Sequence, residues 1–165
     1  MSGYNPGPMI HLLLKTIDQG YDRKSWHGTT LRGSLRGVSA EEAAWRPGPD
    51  RHNIWELAVH AAYWKYSVLR RLRGDQRGSF PLEGSNWFPR PIDPNDPSER
   101  AWKQDLSVLG QMHRDLRAAV AGLTEDDLQK VPEGSATTIS ELVVGVAFHD
   151  IYHAGQIQLL KRLRS

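Results

Sequence analysis

Helix-start signals constrain the fold of this chain more than any other feature. Three segments carry a capping-box pattern, in which a small polar residue precedes a carboxylate by three positions and an apolar stretch follows. These segments are residues 53–56, 96–99 and 138–141. In the second segment Pro97 stands at the first helical position, where proline is favoured. Each segment therefore predicts the start of a helix.

Four long helices follow from these signals. An apolar stretch at residues 10–14 predicts an earlier helix, although Gly20, Gly28 and Gly33 make its course less regular. The predicted long helices cover residues 8–36, 54–73, 97–121 and 138–163, with short helical turns at 39–44 and 124–128. No stretch alternates β-branched residues between turn signals, so we predict no strand.

The connection between the second and third helices decides the predicted topology. Residues 74–96 are rich in glycine and proline, and the segment is too long for a tight helical hairpin. A crossover of this length lets the two helices that it joins run parallel. With 165 residues, a single domain over 1–165 is expected. The sequence therefore predicts an all-α fold: an up-down-down-up four-helix bundle with a long crossover between helices 2 and 3.

An internal repeat supports this bundle. Seven residues recur at a constant spacing of 85 positions, across a loop and a helix. The first copy contains Gly37, Pro47, Ile54, Glu56, Leu57, Val59 and Ala62, and the second contains Gly122, Pro132, Ile139, Glu141, Leu142, Val144 and Ala147. Two similar helical hairpins related by a pseudo-twofold axis would produce this pattern.

The composition excludes several classes of protein. The chain has no cysteine, so disulfides, thiolate ligands and a cysteine nucleophile are excluded. The net charge is only +2, and basic residues cluster where helices are predicted to end, which argues against a nucleic-acid partner. The longest apolar run, residues 142–148, is too short to span a bilayer, and the N-terminus lacks the basic start of a signal peptide. We expect a cytoplasmic protein with no membrane partner.

Three histidines form the candidate metal site. His149 and His153 are four residues apart, so they share one face of the fourth helix. The apolar run before them predicts that this helix is buried on all sides, which favours neutral imidazole, the form that binds metal. His60 interrupts a similar apolar stretch of the second helix. We predict that the three imidazoles converge on one divalent ion; the alternative is three core histidines with separate hydrogen-bond partners.

Three neutral ligands leave at least one coordination position open, as in catalytic rather than structural zinc sites. Imidazole suits zinc, nickel, iron and copper, so the residues do not select the metal. Two further residues are candidates for binding a cofactor or substrate beside it. Gln156 lies one turn beyond His153, where it can hydrogen-bond an imidazole or a metal-bound water, or serve only in helix packing. Gly145 lies one turn before His149 and is the repeat equivalent of His60; it leaves room beside the metal or allows close helix packing.

The predicted crossover contains an apolar segment, Trp87-Phe88-Pro89. Its rings either plug the surface of the bundle or form a lid over the site. Among the other histidines, His27 is a weaker candidate for a fourth ligand, and His52 and His113 are not expected to bind metal.

Two segments resemble the DinB-like (DinB/YfiT-like) superfamily of metal-dependent enzymes. The first is residues 53–60, which end in His60, and the second is residues 148–157, which contain His149, His153, Gly155 and Gln156. The resemblance covers nearly the whole chain. It implies a four-helix bundle, a three-histidine site for zinc or nickel, with iron as a further option, and a homodimer.

The resemblance also indicates a reaction class. Some members of the superfamily are thiol-dependent transferases or isomerases, and others are described as metal-dependent hydrolases. We therefore expect a metal-dependent enzyme acting on a small-molecule substrate, with S-transfer from a low-molecular-weight thiol to small electrophiles as the first choice. The alternatives are a hydrolase that uses metal-bound water and a non-catalytic metal-binding protein of the stress response. No residue is assigned as catalytic from the sequence.

Overall fold

The computed structural model describes residues 6–165; the predictions that concern the first five residues lie outside this range. Over the described residues the chain forms α-helices and no strand, as predicted. The helices are α1 (Pro8–Tyr21), α2 (Leu31–Leu35), α3 (Ala40–Ala44), α4 (Ile54–Arg73), α5 (Glu99–Ala121) and α6 (Ile139–Arg164), with a 3₁₀ helix at Glu125–Gln129.

The four long helices, α1, α4, α5 and α6, form the predicted up-down-down-up bundle. Helices α4 and α5 run in the same direction, as two contacts show. Trp55 packs on Trp102 near the start of both helices, and Leu69 and Leu116 belong to one core cluster near their ends. None of the helices in the described part of the chain combines the length and apolar character needed to cross a membrane.

Cap contacts explain where the long helices begin. Thr138 and Glu141 form the predicted reciprocal capping box at the start of α6. At the start of α4, Asn53 accepts a hydrogen bond from the backbone of Glu56, but the Glu56 carboxylate turns away from this cap. Helix α5 begins two residues later than predicted, since the side chain of Ser98 caps it instead of Asp96.

The prediction of one helix over residues 8–36 is wrong beyond Tyr21. A turn with an isolated bridge between Ser25 and Gly28 separates α1 from α2. Gly28 has a φ of 108°, which an α-helix cannot contain. His27 therefore lies in an exposed loop, where its Nε2–H donates to the carbonyl of Gln19 at 3.1 Å.

The element boundaries repeat at the spacing seen in the sequence. Asn53 and Thr138 cap α4 and α6, and these two caps are 85 positions apart. Lys65 of α4 and Asp150 of α6 are also 85 positions apart, and they form a fully buried ion pair. Because two repeat-equivalent residues touch only near the axis that relates them, the pseudo-twofold axis passes through this pair.

The crossover between α4 and α5 is anchored over the start of α4. The side-chain amide of Asn53 donates to the carbonyl of Arg90 at 2.7 Å, and the backbone N–H of Arg90 donates to Glu56. The guanidinium of Arg90 reaches Asp105 of α5 at 2.7 Å, and Phe88 is buried in the core. These contacts hold the neighbouring residues 86 and 87 against α4.

Candidate metal centre

The structure brings the three predicted histidines together. Nε2 of His149 lies 3.1 Å from Nε2 of His60 and 3.0 Å from Nε2 of His153. The candidate ligand atoms all lie within 4.8 Å of one another. His60 and His153 are buried and His149 is partly buried. One turn of α6 and the facing part of α4 therefore present three imidazoles to one point.

Two of the imidazoles are oriented through their other ring nitrogen. Nδ1 of His60 lies 2.8 Å from the backbone carbonyl of Asn86, and Nδ1 of His153 lies 2.6 Å from Oε1 of Gln156. A carbonyl oxygen accepts hydrogen bonds, so each Nδ1 carries the proton and each Nε2 presents a lone pair. Metal-ligating histidines are commonly held in this way.

Burial keeps these imidazoles neutral. Removal from water lowers the pKa of His60 to about 4 and that of His149 to about 3, and it also lowers the pKa of His153. Neutral imidazole is the form that coordinates a metal, so near neutral pH the cluster needs no deprotonation before an ion binds.

The donor set fits a divalent ion. With Nδ1 protonated on His60 and His153, only the ring of His149 can place an N–H among the three Nε2 atoms. Nδ1 of His149 is buried and has no hydrogen-bond partner among residues 6–165. In a tetrahedral zinc site the ligand nitrogens stand about 3.3 Å apart, within a few tenths of an ångström of the spacings here. A cation can bind the lone pairs of all three Nε2 atoms, whereas a single N–H on the ring of His149 cannot serve all of them.

The family model of the DinB superfamily matches residues 24–157, which include all three histidines. The chain belongs to the DinB superfamily. The match covers well over half of the chain and confirms the resemblance seen in the sequence. No curated protein and no solved structure matches this DinB-superfamily chain.

Gln156 and Gly145 occupy different surroundings. Gln156 hydrogen-bonds His153, as described, and so lies behind a ligand imidazole. A Cβ added to Gly145 would meet no atom within 4 Å, so no neighbouring helix packs closely against this position. Gly145 and His149 line the same cavity between α4 and α6. Their roles in binding a cofactor or substrate stay predictions.

The prediction that α6 is buried on all sides around residues 142–148 is wrong. Phe148 is 61% exposed, and Glu141 and Gly145 share its outward face. The helical period of 3.6 residues puts these positions on one side of α6, and the bundle contacts only the other side. Low sequence polarity did not reveal which face was outward.

The segment Trp87-Phe88-Pro89 serves the core and the site at once. Phe88 is only 2% exposed, as expected for a plug. Trp87 stacks between the rings of His52 and His60, with centroid distances of 3.5 Å and 3.8 Å. It thus covers one face of a candidate ligand. His52 reaches this stack without joining the cluster, and His113 stacks on Tyr21 elsewhere in the bundle.

Sequence reasoning missed Asn86 and Trp64, which both adjoin the histidine cluster. Asn86 adopts a left-handed backbone conformation with a φ of 63°, which aims its carbonyl at His60, and asparagine is one of the few residues that tolerate this conformation. Its side-chain oxygen accepts from the indole of Trp64 at 3.0 Å. Only the asparagine before an apolar loop segment could have signalled this arrangement.

Proposed function

We propose that this DinB-superfamily protein is a metal-dependent enzyme that transfers a small thiol to small electrophiles. The observation that supports a bound metal is the convergence of three Nε2 atoms. Hydrogen bonds from Nδ1 to Asn86 and Gln156 leave the Nε2 lone pairs of His60 and His153 free to bind an ion. Zinc or nickel is the proposed ion, with iron as a further option.

The ligand set supports a negatively charged partner at the open position. Three neutral imidazoles leave the charge of a divalent ion uncompensated. A bound ion would supply the positive charge that keeps a coordinated thiol deprotonated near neutral pH. Since the chain has no cysteine, the sulfur must come from a small molecule.

The chain's own residues would orient and shield this thiolate. Trp87 covers His60, and Trp64 lies beside both His60 and His149, with ring centroids 6.3 Å and 6.2 Å away. In the proposed reaction the sulfur forms a bond to an electrophilic carbon of the second substrate. The leaving group departs with the bonding pair and takes up the proton that the thiol released.

The surrounding carboxylates favour transfer over hydrolysis. A hydrolase commonly places a carboxylate as general base near its metal. Here the carboxylate of Asp150, next to His149, faces Lys65, and that of Glu56, one turn before His60, pairs with Arg46. Both carboxylates are thus engaged in structural contacts, whereas a thiolate attacks without a base.

Turnover with a chromogenic electrophile tests the proposal. Purified protein loaded with zinc, nickel or iron is mixed with chlorodinitrobenzene and a panel of small thiols, and thioether formation is followed by absorbance. We expect thiol-dependent turnover above the uncatalysed rate that disappears in His149→Ala. Hydrolysis of ester probes without any thiol-dependent turnover would instead support the hydrolase. Stoichiometric metal binding without either activity would support a non-catalytic metal-binding protein.

The homodimer and the cytoplasmic location also stay predictions. The outward face of α6 exposes large apolar residues over most of its length: Phe148, Tyr152, Leu159 and Leu163. A second copy of the chain would cover such a face. Light scattering of the purified protein should give twice the chain mass, and Tyr152→Glu with Leu159→Glu should give the monomer.

A further inference from the structure

A cavity of about 450 Å³ opens directly beside the candidate metal centre. It lies between α4 and α6, and His149 and Trp64 form one end. The middle is lined by apolar side chains, among them Val68, Leu142 and Val146. This volume is within the range of small-molecule sites in proteins. The cavity therefore offers space for an apolar body adjoining the open coordination position.

Arg71 lies at the opposite end of this cavity, and its guanidinium forms only some of the hydrogen bonds that it can donate. Nη1 donates to the backbone carbonyl and the hydroxyl of Ser67, at 2.9 Å and 2.5 Å. Nε and Nη2 have no hydrogen-bond partner, and Arg71 has no ion pair, within the described residues 6–165. Those two nitrogens form the edge of a guanidinium that binds a carboxylate with two parallel hydrogen bonds.

The charge around Arg71 favours an anion. Partial burial is the main cause of the lowered pKa of Arg71, and the neighbouring guanidiniums of Arg70 and Arg77 lower this pKa further. These two neighbours concentrate positive charge around Arg71. The one carboxylate on the cavity wall, that of Glu141, is directed to the N-terminus of α6 by its contacts with Thr138. It does not pair with Arg71.

The two ends of the cavity are separated by a definite length. Trp64 and Arg71 are seven residues apart on α4, which corresponds to about 10 Å along the helix. We propose that the cavity binds an elongated substrate whose carboxylate pairs with Arg71, whose apolar middle lies against α6, and whose reactive end reaches His149. The inference rests on the proposed function only for the ion at the histidines, and it adds the substrate class.

Cobalt-substituted protein provides the test, because a thiolate bound to cobalt(II) has an intense charge-transfer absorption. Mercaptooctanoate, mercaptooctanol and mercaptopropionate are titrated separately at constant pH and ionic strength. We expect mercaptooctanoate to bind about 10-fold or more tightly than mercaptooctanol, because a charge-assisted hydrogen bond contributes to its affinity. Mercaptopropionate is too short to reach Arg71 from the metal, so it should not bind more tightly than mercaptooctanol.

Variants identify the residue responsible. In Arg71→Gln the preference for the carboxylate should disappear, and in Arg71→Lys it should be reduced, since lysine keeps the charge and loses the forked geometry. Arg73→Gln removes an exposed cation two residues further along α4 and should keep the full preference. Circular dichroism and cobalt stoichiometry show that each variant is folded and loaded.

A second titration separates this inference from the proposed function. Octanoate, which has no thiol, is titrated calorimetrically into metal-free wild type and Arg71→Gln. Binding of octanoate that depends on Arg71, without any cobalt–thiolate absorption from the mercaptans, would support the cavity and contradict thiol transfer. Equal affinities of mercaptooctanoate and mercaptooctanol for wild type would overturn the inference and leave thiol transfer standing.

Discussion

The candidate metal centre and the cavity beside it are built on repeat-equivalent positions of α4 and α6, yet they offer different environments to a ligand. Three histidines fill one side. At the repeat-equivalent positions, 85 residues away, the chain carries a glycine, a tryptophan and a valine, all on the cavity wall. The equivalent pairs are His60 with Gly145, His149 with Trp64, and His153 with Val68.

This difference shows how a duplicated scaffold can form two different environments at equivalent positions. The helical hairpin determines where each side chain starts, and the pseudo-twofold axis at Lys65 and Asp150 makes the two sides adjacent. Side-chain identity then makes one side a ligand set and the other an open space. Both halves contribute residues to each side, and the cavity lies next to the candidate ligands because its repeat-equivalent positions lack imidazoles.

The largest expected effect comes from removing imidazoles from the first side. We expect about one ion per chain in the wild type and close to none in His60→Ala, His149→Ala or His153→Ala, because each loses one of three ligands. Elemental analysis of the purified proteins measures this. His52→Ala, on the other face of Trp87, should retain the ion. Unchanged metal content in all three variants would refute the site.

The next largest effect is expected from breaking the buried ion pair of Lys65 and Asp150 on the pseudo-twofold axis. Burial raises the pKa of Asp150, and Lys65 opposes this shift. Lys65→Met leaves that carboxyl without its cation, and we expect a loss of about 3–5 kcal/mol in the free energy of unfolding. Urea unfolding in the presence of a chelator measures it without a contribution from metal.

The double variant Lys65→Met with Asp150→Leu is the control for the axis. It removes both charges from the same buried space, so most of the lost stability should return. If the double variant were no more stable than Lys65→Met, the loss would come from packing and not from the unpaired carboxyl.

A smaller effect is expected from making the second side less open. Gly145→Leu should fill part of the cavity and weaken the binding of thiols and azide to cobalt-substituted protein about 10-fold. The fold and metal content should persist, since an added Cβ there meets no atom within 4 Å. Gly155→Leu is the matched control, because its Cβ also meets nothing and it lies outside the cavity. Ligand affinity unchanged in Gly145→Leu would contradict a pocket role.

The smallest effect is expected from removing the ion itself. The two core clusters of the bundle are built from apolar side chains, so a chelator should leave the helical circular dichroism nearly unchanged. Collapse of that signal would show that the ion holds the two sides of the repeat together, which would make the site structural.

The parts of the fold that were predictable are those with local causes. Thr138 and Glu141 cap α6 through contacts between near neighbours in sequence, and the start of α4 at Asn53 has the same origin. The extent of the first helix was not predictable, because the turn at Gly28 interrupts a composition that still permits helix. The outward position of Phe148 also depended on which side of α6 the other helices cover.

The amino-acid sequence by itself determined the helical class, the crossover, the repeat and the three histidines, because helix caps and residue spacing act over a few positions. Only the tertiary structure decided that Asn86 and Gln156 orient two imidazoles, that Trp87 covers His60, and that Arg71 lies at the far end of a cavity beginning at His149. Asn86 and Trp87 are far from His60 in the chain, and Arg71 is far from His149. Their geometry follows from how α4, α6 and the crossover pack, and local spacing does not encode it.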